Sequence, residues 1–176
     1  RDRARSRGLG DVYKRQVVTY ALKKAHSLNV KTILNPAPAA EIDESLFSMI
    51  DYFTPNETEA SFYVNHNVET HEDAEKAAMQ LLEKGIKNVV ITLGEKGAFF
   101  ANSEEKFSLP IANLSNPVVD TTGAGDAFNA GFAAALTEGQ NIKDALKFAS
   151  ATAGLSTTKI GTANSMPSRE EIDKLL

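Results

Sequence analysis

The sequence contains no cysteine and only three histidines. Without cysteine, disulfide bonds and thiolate metal sites are excluded, and the histidines share no spacing typical of a metal site. No apolar run approaches membrane-spanning length, and no signal-peptide pattern is present. The 176 residues, 42% hydrophobic and 24% charged, suffice for one globular domain with a sizeable core. We therefore expect a cytoplasmic protein that does not bind membranes.

The first sixteen residues, Arg1 to Gln16, differ in charge from the rest of the chain. Without them the formal charge changes from −4 to −8, because six basic and two acidic residues are removed. A basic tail that binds nucleic acid is one interpretation. However, the segment has no amphipathic period, and we interpret residues 1–16 as a non-native or artefactual leader and residues 17–176 as the native domain. Its basic residues are Arg1, Arg3, Arg5, Arg7, Lys14 and Arg15.

Helical and strand patterns alternate along residues 17–176, which predicts an α/β, doubly wound layer structure. The helix before the strand at Asn88–Leu93 indicates a crossover of the kind that joins parallel strands. Helices are predicted over Val17–Leu28, Ile42–Ile50, His71–Gly85 and Ile142–Thr157, and strands over Val30–Leu34, Tyr52–Thr54, Asn88–Leu93, Ala98–Ala101 and Lys106–Pro110. The loop Asn35–Pro38 lies where such sheets bind ligands, but its prolines favour a merely rigid loop.

The segment Val118–Phe132 carries the strongest functional signal. Two valines predict the end of a strand, and Gly123-Ala124-Gly125 then leads into a helix whose first turn holds Asp126. A capping residue alone would start a helix, so the two glycines indicate close approach of a ligand to the backbone. The free N–H groups of a helix start form an anion site.

A second segment, Thr54–Ala60, combines a strand end, a proline and a helix start with an acidic first turn. Taken alone, Asn56 and Glu59 are equally consistent with simple helix capping.

The run Asp120–Phe132, DTTGAGDAFNAGF, resembles the C-terminal signature of the ribokinase-like (pfkB-type) carbohydrate kinases. The motif is long and stands in a strand–turn–helix context. The resemblance implies that Asp126 is the catalytic base beside the substrate. It also implies that the backbone of Gly123, Ala124 and Gly125 forms the anion hole for the transferred phosphate.

The same resemblance extends to the nucleotide and its metal. Asn56 and Glu59 match an Asn-x-x-Glu motif that organises magnesium through water, which suits a cation that keeps several waters. The turn Thr92–Gly97 is either a plain hairpin corner or the family's nucleotide-contacting turn. The implied nucleotide-binding residues are Asn56, Thr92, Gly94, Gly97, Gly125 and Ser150.

The resemblance also implies a potassium site beside the anion hole. Several of its ligands would be backbone carbonyls, and the alternative is that these residues only tie a loop to the turn. The matching positions are Asp120, Thr122, Ser156, Lys159, Gly161 and Ser165.

Taken together, the resemblance implies ATP-dependent phosphorylation of a sugar hydroxyl, with Mg²⁺ and K⁺ as cofactors, by a homodimeric parent protein. Three segments resemble the ribose-phosphorylating members most closely, which implies conversion of D-ribose to ribose 5-phosphate. The expected fold is a mostly parallel three-layer sheet truncated on its N-terminal side. The resemblance covers only the second half of a family member, so we expect a fragment that is inactive alone. The three segments are 35–38, 55–59 and 161–168.

Three alternatives remain open at this point. The parent could be another kinase of the family, acting on fructose, deoxyribose or a nucleoside. It could be a non-catalytic nucleotide-binding module. A nucleic-acid binder with a basic arm is the third, but the −8 charge of residues 17–176 argues against it.

Overall fold

The computed structural model describes residues 9–176, with side chains from Gln16 onward. In this part of the chain one five-stranded sheet has the strand order β1-β2-β3-β4-β5. Strands β1, β2 and β3 run parallel, whereas β3, β4 and β5 are joined by antiparallel pairings. The strands are β1 Ile33–Leu34, β2 Tyr52–Phe53, β3 Asn88–Thr92, β4 Ala98–Asn102 and β5 Lys106–Leu109. In the described residues the sheet is therefore mixed rather than mostly parallel as expected, because two of its four pairings are antiparallel.

Six α-helices accompany the sheet in residues 9–176, together with three short 3₁₀ turns. Helices α2, α3, α5 and α6 each begin at a side-chain cap, as their Asn, Thr, Asn and Ser caps predict. The helices are α1 Leu9–Ser27, α2 Glu57–Val64, α3 His71–Glu83, α4 Ala124–Thr137, α5 Ile142–Ser156 and α6 Arg169–Leu175; the 3₁₀ turns are Glu44–Met49, Gly94–Lys96 and Ala163–Ser165.

Two hydrophobic cores lie on opposite faces of the sheet. Strand β3 shows the division, because Val89 and Ile91 belong to one core and Val90 to the other. The first core joins the sheet to α1, α2 and α3, and the second joins it to α4, α5 and α6. Since side chains alternate along a strand, a sheet covered on both faces needs apolar residues in succession. The doubly wound, three-layer α/β fold is confirmed.

Helices α4 and α5 pack at unusually close range. A Cβ added at Gly131 would lie 2.5 Å from Thr152 Oγ1 and 3.2 Å from Ala149 Cα. The missing side chain thus lets the two helix backbones approach each other. Helix α4, which carries Asp126 on its first turn, is in this way held against a buried neighbour.

The predicted helices and strands are found, with four differences. The helix predicted over Ile42–Ile50 is a 3₁₀ helix, Glu44–Met49. Helix α1 begins at Leu9, inside the predicted leader, whereas residues 1–8 lie outside the described part. Strand β1 is shorter than predicted because Val30 N still donates to Ala25 O and closes α1. The prediction that a strand ends at Val118-Val119 is wrong. Both valines are exposed, and Val119 N bonds Thr157 O beyond α5 rather than a strand. No described helix is long and apolar enough to cross a bilayer.

Polar side chains join the strands at the edge of the sheet where β1, β2 and β3 begin. Asp51 Oδ2 accepts from Thr32 N at 2.9 Å, and its Oδ1 accepts from Lys87 Nζ at 2.8 Å. Asn88 Nδ2 donates to Asp51 O at 2.8 Å. Partial burial raises the pKa of Asp51, but the Lys87 ammonium and the Thr32 N–H outweigh it and hold this pKa below its usual 3.8.

We predict that Asp51→Asn lowers the free energy of unfolding by about 1–2 kcal/mol at pH 7, because a charge-assisted bond is lost. A carboxyl with a depressed folded pKa contributes stability that is complete above its unfolded pKa and is lost as pH falls through the folded pKa. The deficit should therefore shrink below about pH 3.8. Urea unfolding at pH 7 and pH 3 measures it. Exposed Glu170→Gln is the control, and an equal deficit at both pH values would contradict the assignment.

Candidate active site

The first turn of α4 presents backbone donors to solvent. Gly123, the N-cap, has φ +79° and its cap has no side-chain hydrogen bond. Ala124 N donates to Thr121 O and Ala127 N to Gly123 O. Within residues 9–176 the backbone N–H groups of Gly125 and Asp126 have no hydrogen-bond acceptor. Two free N–H groups at the positive end of a 14-residue helix form an anion site.

This turn borders a pocket of about 200 Å³ at the carboxyl ends of β1, β2 and β3. Open α/β sheets bind ligands at this edge. The predicted residues Asn56, Glu59, Thr92, Gly123, Gly125 and Asp126 all line it, together with Asn35, Ala37, Thr54, Phe128 and Asn129. Gly123, Gly125 and Asp126 are thus brought together with the predicted magnesium pair. Ala124, the third predicted anion-hole residue, does not line the pocket, and its amide donates to Thr121 O.

Asn56 and Glu59 form a reciprocal capping box at the start of α2. Asn56 Oδ1 accepts from Glu59 N at 2.9 Å, and Glu59 Oε2 accepts from Asn56 N at 2.9 Å. The capping interpretation is therefore correct. It leaves the Asn56 side-chain amide N–H groups and one oxygen of the 7% exposed Glu59 carboxylate for a ligand.

These donors fit magnesium bound mainly through water. Glu59 supplies one free carboxylate oxygen of the hard kind that magnesium prefers, and the ion needs few direct carboxylates. The Asn56 amide N–H groups can donate to oxygen atoms of phosphate or of magnesium-bound water. Among the described residues no group of three or more His, Cys, Asp or Glu side chains could hold a metal alone. A magnesium ion here would therefore need phosphate oxygens and waters as further ligands.

A chain of hydrogen bonds connects the strand ends to α4. Asn35 Nδ2 donates to Thr54 O at 2.7 Å, and Thr54 Oγ1 donates to Asn129 Oδ1 at 2.7 Å. Asn129 Nδ2 donates to Gly125 O at 2.9 Å. We call the last two links, Thr54–Asn129–Gly125, the strand–helix relay.

Asp120 fastens the turn before α4 to the loop after α5. Its Oδ2 accepts from Gly161 N at 3.0 Å and its Oδ1 from Thr122 N at 2.9 Å. The Gly161 N–H, followed by the Thr122 donors, lowers the pKa of Asp120 to about 2. The carboxylate therefore stays ionised under physiological conditions.

The structure brings together some of the predicted potassium positions. Gly123 contacts Thr162 of the loop that holds Gly161, since a Cβ on Gly123 would lie 3.2 Å from Thr162 Cγ2. Buried Ser165 bonds Thr162 O in that loop. Other side chains are engaged elsewhere: Ser156 Oγ bonds Ala153 O, and Lys159 Nζ pairs with Glu171 at 2.9 Å. The Lys159 ammonium cannot bind a cation, so at Lys159 only the backbone is left for one, whereas Ser156 Oγ keeps its lone pairs.

The turn Thr92–Gly97 connects β3 and β4 as a hairpin. Thr92 lines the pocket, whereas Gly94 and Gly97 do not. A Cβ on Gly97 would lie 2.0 Å from Leu109 O, so the approach of β5 explains this glycine. Ser150 is partly buried on α5, also outside the pocket lining. For these residues a nucleotide contact stays a prediction.

Sequence reasoning missed Asn35, Thr54 and Asn129 as pocket residues. Asn35 and Thr54 end the parallel strands β1 and β2, which was the available signal. The prolines after Asn35 favoured a loop that is only rigid, and this hid its place at the pocket. Asn129 stands within the glycine motif itself, but its partner Thr54 is 75 residues away.

Comparison with known proteins agrees with this geometry. Residues 10–169 match the model of the pfkB family carbohydrate kinases. Ribokinase of Haemophilus influenzae is 42% identical over 154 residues, 88% of this chain and 50% of that protein. Deoxyribokinase of Salmonella typhimurium is 35% identical over 162 residues, 92% of this chain and 52% of that protein.

Solved structures agree as well. Thermotoga maritima ribokinase has a TM-score of 0.78 and 40% identity, covering 88% of this chain and 52% of its own. Arabidopsis thaliana ribokinase, complexed with ribose and ATP, has a TM-score of 0.84 and 34% identity, covering 92% of this chain and 52% of its own. The chain thus spans about half the length of these relatives. The chain belongs to the pfkB family of carbohydrate kinases.

Proposed function

We propose that the protein containing this chain transfers the γ-phosphoryl group of ATP to a sugar hydroxyl, converting D-ribose to ribose 5-phosphate. One observation carries the proposal: the pocket joins Asp126 and two free amides of α4 to the Asn56–Glu59 pair. A base, an anion site and a metal-compatible pair are the parts that phosphoryl transfer needs.

In this proposal Asp126 accepts the proton of the sugar hydroxyl as its oxygen bonds to the γ-phosphorus. The bond to the leaving oxygen of ADP breaks in the same displacement. The amides of Gly125 and Asp126 and the dipole of α4 stabilise charge on the equatorial oxygens. Among the described residues that line the pocket there is no lysine or arginine. Magnesium, when held by Asn56 and Glu59, would neutralise phosphate charge.

The similarity to ribokinases from several organisms, one solved with ribose and ATP, supports ribose as acceptor. The similarity to a deoxyribokinase supports 2-deoxyribose as the second candidate. We also propose a cytoplasmic location, since ATP is the donor. The homodimeric parent and the artefactual nature of residues 1–16 stay predictions.

The test is ADP release by the full-length protein with ATP, Mg²⁺ and K⁺ against ribose, 2-deoxyribose, fructose and a nucleoside. We expect the highest kcat/KM with ribose. ATP binding without turnover on any sugar would instead identify a nucleotide-binding module.

The 176-residue chain alone is expected to release no ADP above background. Phosphoryl transfer depends on the position of the acceptor, and among the residues that line the described pocket only Asp126 is proposed to bind the sugar.

We further predict that potassium raises this activity severalfold over sodium or choline at equal ionic strength. A cation bound at ionised Asp120 would order the Gly161–Ser165 loop against Thr122 and thereby the amides of the α4 turn. Asp120→Asn should abolish the difference between salts. Equal rates of the unsubstituted protein in all three salts would contradict a potassium site.

A further inference from the structure

We propose that Thr54 and Asn129 position the catalytic turn of α4, and that their hydrogen bond sets the rate of phosphoryl transfer rather than substrate affinity. The inference rests on the proposed kinase function. Both side chains line the pocket, yet neither belongs to the predicted base, anion hole or metal pair.

The direction of each bond in the strand–helix relay follows from the chemistry of its groups. The carbonyl oxygen of Gly125 can only accept, so Asn129 must present its amide nitrogen to it. Asn129 Oδ1 therefore faces Thr54, and the single hydroxyl proton of Thr54 goes to it at 2.7 Å. The other acceptor near this hydroxyl, Leu34 O at 3.5 Å, is too distant to compete.

Burial makes this arrangement rigid. Thr54 is 1% exposed and its backbone is fixed on both sides, since Thr54 N donates to Leu34 O at 3.0 Å and Thr54 O accepts from Asn35. A buried hydroxyl that lost Asn129 would have no good partner and would keep the cost of its desolvation. The relay thus holds Gly125 at a set distance from the end of β2.

The position of Gly125 matters because the free amides of Gly125 and Asp126 belong to the same turn. The end of β2 leads directly through Pro55 to Asn56, the cap of α2. The relay therefore fixes the anion-binding amides and the base relative to the predicted magnesium pair. A misplacement of about 1 Å in such a site can cost about a hundredfold in rate.

The test compares Thr54→Val with Thr54→Ser in the full-length kinase. Valine keeps the volume and removes the hydroxyl, so kcat should fall about tenfold or more, with KM for ATP and sugar within about threefold. Serine keeps the hydroxyl and should restore kcat to within about threefold. Thr152→Val is the matched control, because Thr152 is a buried threonine on α5 whose hydroxyl bonds Phe148 O outside the pocket.

A second measurement does not depend on turnover. With the full-length protein labelled with ¹⁵N-glycine, inorganic phosphate should shift the Gly125 amide resonance. Thr54→Val should reduce this shift at saturating phosphate at least about twofold, because the amide is displaced, with the phosphate affinity within about threefold. If Thr54→Val does not fold, Asn129→Asp is measured in its place. Aspartate cannot donate to Gly125 O and places a carboxylate oxygen beside it at this partly buried position, so the same relay is broken.

The outcomes separate the two proposals. Absence of sugar-dependent turnover in the unsubstituted protein overturns the proposed function, and the phosphate titration then decides the inference alone. Values of kcat and of the phosphate-induced Gly125 shift for Thr54→Val that equal those of Thr152→Val overturn the inference. A fall in kcat with serine rescue and unchanged KM supports it, because a merely structural loss would also appear in Thr152→Val.

Discussion

Replacing Asp126 with asparagine is expected to lower kcat of the proposed reaction in the full-length protein at least about a hundredfold, while ATP affinity stays within a few-fold. Asparagine keeps the size of the side chain and removes its basicity, and a general base contributes ~10²–10⁴ in rate. The proposed anion site consists of backbone amides, which the substitution leaves in place. Steady-state kinetics and ATP titration measure the two quantities separately.

Helix α5 offers a matched control for this experiment. Asp144 is the third residue of α5, as Asp126 is the third residue of α4, but it lies outside the pocket. Asp144→Asn should leave kcat unchanged. If Asp126→Asn kept more than a tenth of the original kcat, Asp126 would not be the base.

Replacing Gly97 with alanine is expected to lower the free energy of unfolding by about 3 kcal/mol or more. The backbone there has φ +92° and ψ −131°, which costs an L-residue about 1–3 kcal/mol. The new Cβ would also stand 2.0 Å from Leu109 O and 3.0 Å from Pro110 C, both backbone atoms of β5 or its end. Strand β5 must therefore move, and overpacking of this kind costs a further ~1–3 kcal/mol.

Gly139 separates the two contributions. It has φ +79°, but a Cβ there would meet nothing within 4 Å. Gly139→Ala should thus show the backbone cost alone, about 1–2 kcal/mol. Urea unfolding followed by circular dichroism compares the variants. Equal losses at both sites would show that β5 yields freely and that the hairpin does not require this glycine.

The layers could be predicted because their signals are local. Ala74, Ala77, Ala78 and Leu81 recur at helical spacing in α3 and are buried. The uninterrupted apolar run Val89-Val90-Ile91 matches a strand covered on both faces. The Gly123–Asp126 turn was also predictable, since glycines at a helix start allow unusual backbone angles and close approach of a ligand. Each of these conclusions needs only neighbours in sequence.

The errors arose where distant contacts decide the structure. Val118 and Val119 have high strand propensity, but strand formation needs a partner, and their segment bonds the loop after α5. At Gly97 the approach of Leu109 is a structural reason for glycine that the sequence did not show, and a nucleotide contact of this turn stays a prediction. The hydrogen bond between Thr54 and Asn129 could not be predicted, because a side-chain contact between residues 75 positions apart leaves no periodic pattern in the sequence.

The 75 residues between Thr54 and Asn129 also have a consequence for the lifetime of the protein, because the two sides of the pocket meet only in the folded chain. The pocket exists only while α4 is docked on the strand ends, so a phosphate-bearing ligand held by both sides binds the folded state alone. At a ligand concentration 100 times its Kd, such binding adds about 2.7 kcal/mol to stability. Proteases that act on transiently opened molecules would then find about a hundredfold fewer of them. The lifetime of the protein would therefore follow the supply of the ligand that occupies this pocket.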